Sequence, residues 1–354
     1  MGQLINGAVP LAQARLALAE TFDLEFSPAI ERETATVYER VKSRIPAVEW
    51  PFFAPLIAQI NRLKKEKNAA ILAHNYQSPH IFHGVADLTG DSLTLAVGAA
   101  GLPQSVLLQA GVVFMAETTK VLNPERTVLI PDSRAGCSLA GSITARDVRA
   151  MKSQYPGVPA VAYMSSPAEV KAEADICCTA ANALAVIEAQ PGDTVILVPD
   201  EFLARNVARH TRKKVIAWAG ACEVHETFSA ADIAELRAAY PTASIIAHPE
   251  CPPEVIAAVD YAGPSEAMID WVRSQRPARF VMVTECSISD NVAAEAEGTE
   301  FVRGCNICPH MKRITLENIL WSLHTMTEEV TVAPEVIEPA AHAIRRMVDV
   351  AGRP

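Results

Sequence analysis

Basic residues are the minority charge in this chain: 31 Lys and Arg stand against 41 Asp and Glu, a formal net charge of −10 over 354 residues. That deficit argues against a nucleic-acid partner, which would want a basic face. Long apolar runs are missing too. No stretch reaches the roughly 18 consecutive apolar residues that argue for a membrane span, although the apolar share of 50% suffices for real cores. The opening, Met-Gly-Gln-Leu-Ile-Asn, has no basic region followed by an apolar stretch and a cleavage site, and no Ser or Thr at position 6 for myristoylation. There are no low-complexity stretches or long linkers. Eight cysteines without an export signal point to a reducing, cytoplasmic setting, where thiols serve metals or catalysis more than disulfides.

What the chain does have is an internal repeat. Cys137, Cys222 and Cys308 lie 85 and 86 residues apart, and the same order of segments precedes each. The apolar runs are Ala69–His74, Ser105–Gln109 and Thr127–Ile130 in the first unit. They are Pro159–Tyr163, Thr194–Val198 and Lys214–Trp218 in the second, and Ala243–His248, Arg279–Val283 and Glu300–Val302 in the third. Short, nearly continuous apolar runs are the pattern of parallel strands buried on both faces. Helices are expected over Asp87–Ala100, Ser166–Ala189 and Pro253–Ser274, and over Ala116–Leu122, Glu201–His210 and Asp290–Glu297. Thr144-Ala-Arg-Asp147 and Ser229-Ala-Ala-Asp232 each set a Ser/Thr cap three residues before an acid, a variant of the capping box. Strands alternating with helices imply parallel sheets with right-handed crossovers. The expected fold is therefore α/β: three homologous three-layer αβα domains with small parallel sheets, near residues 57–140, 141–225 and 226–310, arranged with pseudo-threefold symmetry about a centre. Residues 1–56 read as a helical arm, with Ser27-Pro28 opening a helix that Pro46 ends. Residues 311–354 read as a helical tail packing on the first repeat.

Ligands of parallel α/β sheets bind beyond the carboxyl ends of the strands. The first strands end in His74-Asn75-Tyr76, Tyr163-Met164-Ser165 and His248-Pro249-Glu250, and the third strands feed the cysteine loops. Threefold packing would gather a thiol triad against His, Tyr and Glu, an inventory for metal-assisted acid–base chemistry. A structural zinc site wants four ligands, whereas only Cys305-Asn-Ile-Cys308 is closely paired. An iron–sulfur cubane accepts thiolates and, with three, keeps one iron open. Spacing alone leaves two readings: a cluster, or small buried hydrophobes. Cys177, Cys178, Cys251 and Cys286 read as core or strand-end residues, and Cys305 as a redox-sensitive partner for Cys308.

Several longer motifs resemble the quinolinate synthase family. They are Ile-Leu-Ala-His74-Asn-Tyr76-Gln, Gly90-Asp-Ser92-Leu, Phe-Met-Ala-Glu117, Ile-Pro-Asp-Ser-Arg-Ala-Gly-Cys137-Ser-Leu, Gly-Ala-Cys222-Glu-Val-His225-Glu, His248-Pro-Glu250-Cys-Pro and Cys308-Pro-His-Met311-Lys. The resemblance implies three α/β domains around a [4Fe-4S] cluster held by Cys137, Cys222 and Cys308, with one open iron. It implies condensation of iminoaspartate with dihydroxyacetone phosphate to quinolinate, on the route to NAD, with a transient hand-off from L-aspartate oxidase. It also implies substrate contacts at His74, Ser92, Tyr163, Met164, Ser165, Ala180, His248, Pro249, Glu250 and Ser265. Tyr76, Tyr163, Glu250 and His248 are then the catalytic candidates, Glu250 for proton transfer. His225 would orient its cluster loop, and Lys312 and Arg313 would either bind anions or form a solvated helix face.

Three positions depart from the family pattern. Its Tyr-x-Asn is Tyr163-Met164-Ser165 here, a serine of its hydroxyl pair falls on Ala180, and its Gly-Ser-Thr becomes Gly263-Pro264-Ser265. Each change removes a hydrogen-bonding group. Two other functions are therefore set beside the synthase: a paralogue with the same cluster and another small anionic substrate, and a non-catalytic iron–sulfur sensor.

Overall fold

A computed structural model describes residues 11–295 and 298–351. The first ten residues of the expected arm and the end of the expected helix Asp290–Glu297 lie outside the described residues. Twelve strands form three parallel sheets of four among the described residues. The first sheet holds β1 (Ala69–His74), β2 (Leu88–Gly90), β3 (Val106–Ala110) and β4 (Thr127–Leu129). The second holds β5 (Ala160–Tyr163), β6 (Ile176–Cys178), β7 (Thr194–Val198) and β8 (Lys214–Ala217). The third holds β9 (Ser244–Ala247), β10 (Tyr261–Ala262), β11 (Arg279–Val283) and β12 (Glu300–Phe301). The strand order is the same in all three: β2-β1-β3-β4, β6-β5-β7-β8 and β10-β9-β11-β12. Every residue of β1 and β3 is buried, as strands covered by helices on both faces must be.

The edge strands β2, β6 and β10 fall inside segments expected to be helical. They are two or three residues long, too short to impose a period of two, and they break each expected helix. Ser166–Ala189 becomes helices Ala168–Glu173 and Ala183–Glu188 on either side of β6, and Pro253–Ser274 becomes Pro253–Ile256 and Ser265–Gln275 around β10.

Each edge strand is fixed by the same polar clasp. A basic residue on the helix that precedes the unit's first strand binds an aspartate just before the edge strand, and the aspartate's other oxygen accepts from the amide of a first-strand residue. Lys64 Nζ lies 2.8 Å from Asp87, which accepts from Ile71 N at 2.8 Å. Lys152 and Asp175 (2.9 Å) do the same for Ala160 N (2.8 Å). Arg237 and Asp260 (2.8 Å) serve Ile245 N (2.8 Å). The same cation also donates to the carbonyl two residues before each aspartate: Val85, Glu173 and Ala258. Both capping boxes form, with Asp147 and Asp232 returning to the caps Thr144 and Ser229.

The cysteine loops are tied down at equivalent points. Val113 N donates to Ala135 O (2.8 Å), Glu201 N to Gly220 O (2.8 Å) and Cys286 N to Asn306 O (2.9 Å). Each acceptor stands two residues before Cys137, Cys222 or Cys308.

Outside the repeats, Ser27 caps helix Pro28–Val41, and helix Trp50–Glu66 runs through the expected boundary at residue 57. Helix Leu316–Thr325 buries Ile319, Leu320 and Leu323 in the core around β1 and β3. The rest of the tail corrects the expectation. Helix Pro334–Ala351 places Ala340, Ile344 and Met347 in the core of the second sheet with Val170 and Cys177, not in that of the first. Its small residues let it sit close over β6 and helix Ala168–Glu173.

Candidate active site and metal centre

The carboxyl ends of the three sheets face one cavity. Its lining includes His74, Tyr76 and Ser92 from the first unit, Tyr163, Met164, Ser165 and Ala180 from the second, and His248, Glu250 and Ser265 from the third. Cys137, Cys222 and Cys308 line the same cavity, and none of them is bridged. Pro249 is the exception among the expected contacts: its carbonyl turns to Asn206 Nδ2 at 2.9 Å, and it is not part of the lining. Ser92 opens helix Ser92–Gly98, but the cap is Asp91, whose carboxylate accepts from Thr94 N, so the Ser92 hydroxyl is spared that duty.

A buried chain of close polar contacts runs from the cavity lining into the interior behind it. Tyr163 Oη donates to Glu250 Oε1 at 2.6 Å. Glu250 Oε2 lies 2.8 Å from His225 Nδ1. His225 Nε2 is 2.8 Å from the Thr284 hydroxyl, which is 3.0 Å from Tyr76 Oη. The His225 ring stacks on His248 with centroids 4.7 Å apart. Two phenols at the ends of different sheets are thus joined through a carboxylate, an imidazole and a hydroxyl. Thr284 carries no sequence motif. It follows β11 directly, so the ends of the second apolar runs, which became β3, β7 and β11, carry the signal that would have found it.

Electrostatics follow from burial and from this chain. Burial, helped by the charge of Glu250, pushes both phenols well above their ordinary range, so they remain proton donors. Burial acts to raise the Glu250 carboxyl. The charge of His248, and the hydrogen bonds and charge from His225 and Tyr163, outweigh it and hold the group below its usual range. Burial depresses His74 to about 3 and His248 to about 4. Each of these rings accepts at Nδ1 the backbone amide two residues on, Tyr76 N at 3.1 Å and Glu250 N at 3.3 Å. The neutral rings therefore carry their proton on Nε2, ready to donate to a ligand.

The thiols suit a metal group. Burial raises all three, Cys137 to about 12, so uncoordinated sulfurs stay protonated and coordination would release protons. Their loops are cross-tied: Glu223 N donates to Ser138 Oγ at 3.0 Å, and His310 Nε2 lies 3.0 Å from Glu223 Oε1. A second donor group, Cys222, His225 and Glu250, has ligand atoms within 4.8 Å of one another. There the carboxylate already accepts from Tyr163 and the imidazole already bonds Thr284, so the set of three soft sulfurs is the better metal site.

Two expectations are corrected here. Cys305 is bridged to Cys286, not poised to pair with Cys308, so the Cys-x-x-Cys spacing does not make a redox pair and Cys308 remains free. The bridge joins the helix after β11 to the loop before Cys308, two segments that β11–β12 pairing already brings together. Lys312 is not on a solvated face either. It donates to Tyr76 O at 2.9 Å and pairs with Glu285 at 3.0 Å.

Fold and site together define an α/β protein of three like-ordered parallel sheets whose carboxyl ends share a cavity lined by three free cysteines. A family profile described as "Quinolinate synthetase A protein" matches residues 58–349. The chain is 56% identical over 338 residues to the quinolinate synthase of Sinorhizobium medicae, covering 96% of this chain and 94% of the relative. It is 58% identical over 328 residues to that of Caulobacter vibrioides, covering 92% and 89%. Against that of Agrobacterium fabrum it is 53% identical over 316 residues, covering 89% and 92%. The chain belongs to the quinolinate synthetase A family.

Proposed function

We propose that the chain is a quinolinate synthase, joining iminoaspartate to dihydroxyacetone phosphate with release of phosphate and water to give quinolinate for NAD biosynthesis. The observation that carries this reading is the shared lining: three free thiols line the same cavity as Tyr76, Tyr163 and Glu250, which His225 and Thr284 connect from the buried side. Cys137, Cys222 and Cys308 would hold a [4Fe-4S] cluster, which would supply Lewis-acid chemistry toward a substrate hydroxyl or carboxylate.

The protein's own groups do the rest. His74 and His248 donate from Nε2 to substrate oxygens. Ser92 and Ser265 offer hydroxyls at helix starts, which is how an acidic protein binds two anionic substrates without a basic patch. Glu250, ionised and aimed by His225, takes a proton from carbon, while the Tyr76 and Tyr163 phenols return protons to departing oxygen. The departures Ser165, Ala180 and Pro264 all line the cavity, where Thr179 and Ser265 stand beside them with hydroxyls. A cytoplasmic setting, with iminoaspartate passed on by L-aspartate oxidase, fits a substrate whose imine hydrolyses in water. No helix among the described residues is long and apolar enough to cross a membrane.

The test is anaerobic purification, cluster reconstitution and assay with iminoaspartate and dihydroxyacetone phosphate. Quinolinate formation supports the reading; an intact cluster without turnover overturns it.

A further inference from the structure

The backbone carbonyls of Asn75, Tyr76 and Gln77, three in a row after β1, are all taken by side chains from distant segments. Asn291 Nδ2 donates to Asn75 O at 3.1 Å and to Gln77 O at 2.9 Å. Lys312 Nζ donates to Tyr76 O at 2.9 Å. The loop carrying one reacting phenol is thus held from behind, away from the cavity.

Lys312 does more than hold that carbonyl. It also donates to Ser287 Oγ and pairs at 3.0 Å with Glu285, whose side chain is 0% exposed. Glu285 Oε1 accepts the Cys308 amide at 3.4 Å, and Oε2 accepts the Ser287 amide at 2.6 Å. A single ion pair, fully buried at Glu285 and 28% exposed at Lys312, touches the Tyr76 backbone on one side and the Cys308 backbone on the other.

The repeat shows that this pair is not needed to build the fold. Val112, Asp200 and Glu285 occupy equivalent places two residues beyond β3, β7 and β11, and in each unit the next residue's amide binds the cysteine loop. Val112 is apolar, and Asp200 caps its own helix through Leu203 N at 2.7 Å. In the third unit the carboxylate instead reaches across to a lysine bound to the first unit. A charge pair with a fully buried carboxylate is a poor route to stability when an apolar residue serves at the same place.

We propose that Lys312 is a positioning residue which, through Glu285, locks the Cys308 loop and the Tyr76 loop into one unit, setting the metal centre and the phenol together. The proposal rests on the reading of Cys308 as a cluster ligand and Tyr76 as a relay member.

Reconstituted Lys312→Met and Lys312→Arg proteins are compared with the unmodified protein by three measurements. They are steady-state kinetics, EPR of the dithionite-reduced centre together with iron release to a chelator, and hydrogen exchange of the peptide containing Tyr76. Loss of the lysine is expected to lower kcat by about 10–100-fold and to speed iron release by a comparable factor, as outer contacts of metal ligands typically do. KM should change little, the EPR signal should shift, and exchange at 75–77 should accelerate. Lys312→Arg, which keeps a cation, should recover most of each effect. Altered iron release with unchanged exchange at Tyr76, or the reverse, overturns the coupling, as does no change in either. Should Lys312→Met not fold, Glu285→Gln keeps an acceptor without the charge and must move both readouts together. EPR and exchange do not depend on turnover, so failure of the proposed reaction in the unmodified protein is distinguishable from failure of this proposal.

Discussion

Replacing Thr284 by valine isolates the chain that joins the two phenols. Thr284 is fully buried, and its hydroxyl is the link between Tyr76 Oη at 3.0 Å and His225 Nε2 at 2.8 Å. Valine keeps the branched shape and removes only the oxygen. Two buried polar atoms then lose a partner, at about 1–3 kcal/mol each if neither relaxes. His225 loses the contact that fixes its ring opposite Glu250, so Glu250 keeps its charge but not its aim. A positioned acid–base group contributes about 10²–10⁴-fold to rate, or roughly 2.7–5.4 kcal/mol of barrier at 1.36 kcal/mol per tenfold. In an anaerobic steady-state assay of reconstituted protein, kcat should fall by at least about 100-fold, while iron content stays at the unmodified level and Thr284→Ser recovers most of the rate. A Thr284→Val enzyme with unaltered kcat and full iron content would refute the relay. So would a loss of rate that tracks a loss of iron.

The clasp at the edge strands predicts equivalent stability losses in three places. Asp175→Ala leaves the amide of fully buried Ala160 without its acceptor and should destabilise by about 1–3 kcal/mol in denaturant unfolding. Asp87→Ala and Asp260→Ala should do likewise, and an Asp175→Ala protein as stable as its parent would contradict the clasp. Burial depresses His74 to about 3 from 6.5, so between those values the unfolded chain binds the proton and the native one does not. Stability is therefore fully present above pH 6.5 and is lost on acidification, by up to about 1.4 kcal/mol per pH unit from this group. Urea titrations at stepped pH should show a shallower acid decline for His74→Asn; an identical slope would mean that His74 titrates normally.

Central strands and cysteine spacing were legible in the chain because both follow from simple patterns. Runs such as Ile71–Leu72–Ala73 and Val195–Ile196–Leu197 are continuous because both faces are buried, and three loops at one repeat position have to meet where the sheets' carboxyl ends meet. The edge strands β2, β6 and β10 were not legible, whereas β4, β8 and β12 on the opposite edges were. Tyr261–Ala262 is held in place through Asp260 and Arg237, a tertiary tie with no local period. The bridge from Cys286 to Cys305 was also hidden. It depends on β11–β12 pairing, whereas the close spacing of Cys305 and Cys308 suggested a nearer partner. The tail helix Pro334–Ala351 shows an amphipathic face, but which sheet receives that face is decided by the shape of the second core. Thr284 and Glu285 were missed for a related reason: each acts through residues more than 20 positions away or in another domain, and neither sits in a motif of reactive residue types.

Iron and sulfide analysis of single serine variants tests the three-sulfur centre most directly. Cys137→Ser, Cys222→Ser and Cys308→Ser should each lose the brown chromophore and most of the iron after anaerobic reconstitution. Cys177→Ser and Cys251→Ser, buried in the second and third cores, should retain both. Full iron in any of the first three would contradict a shared centre.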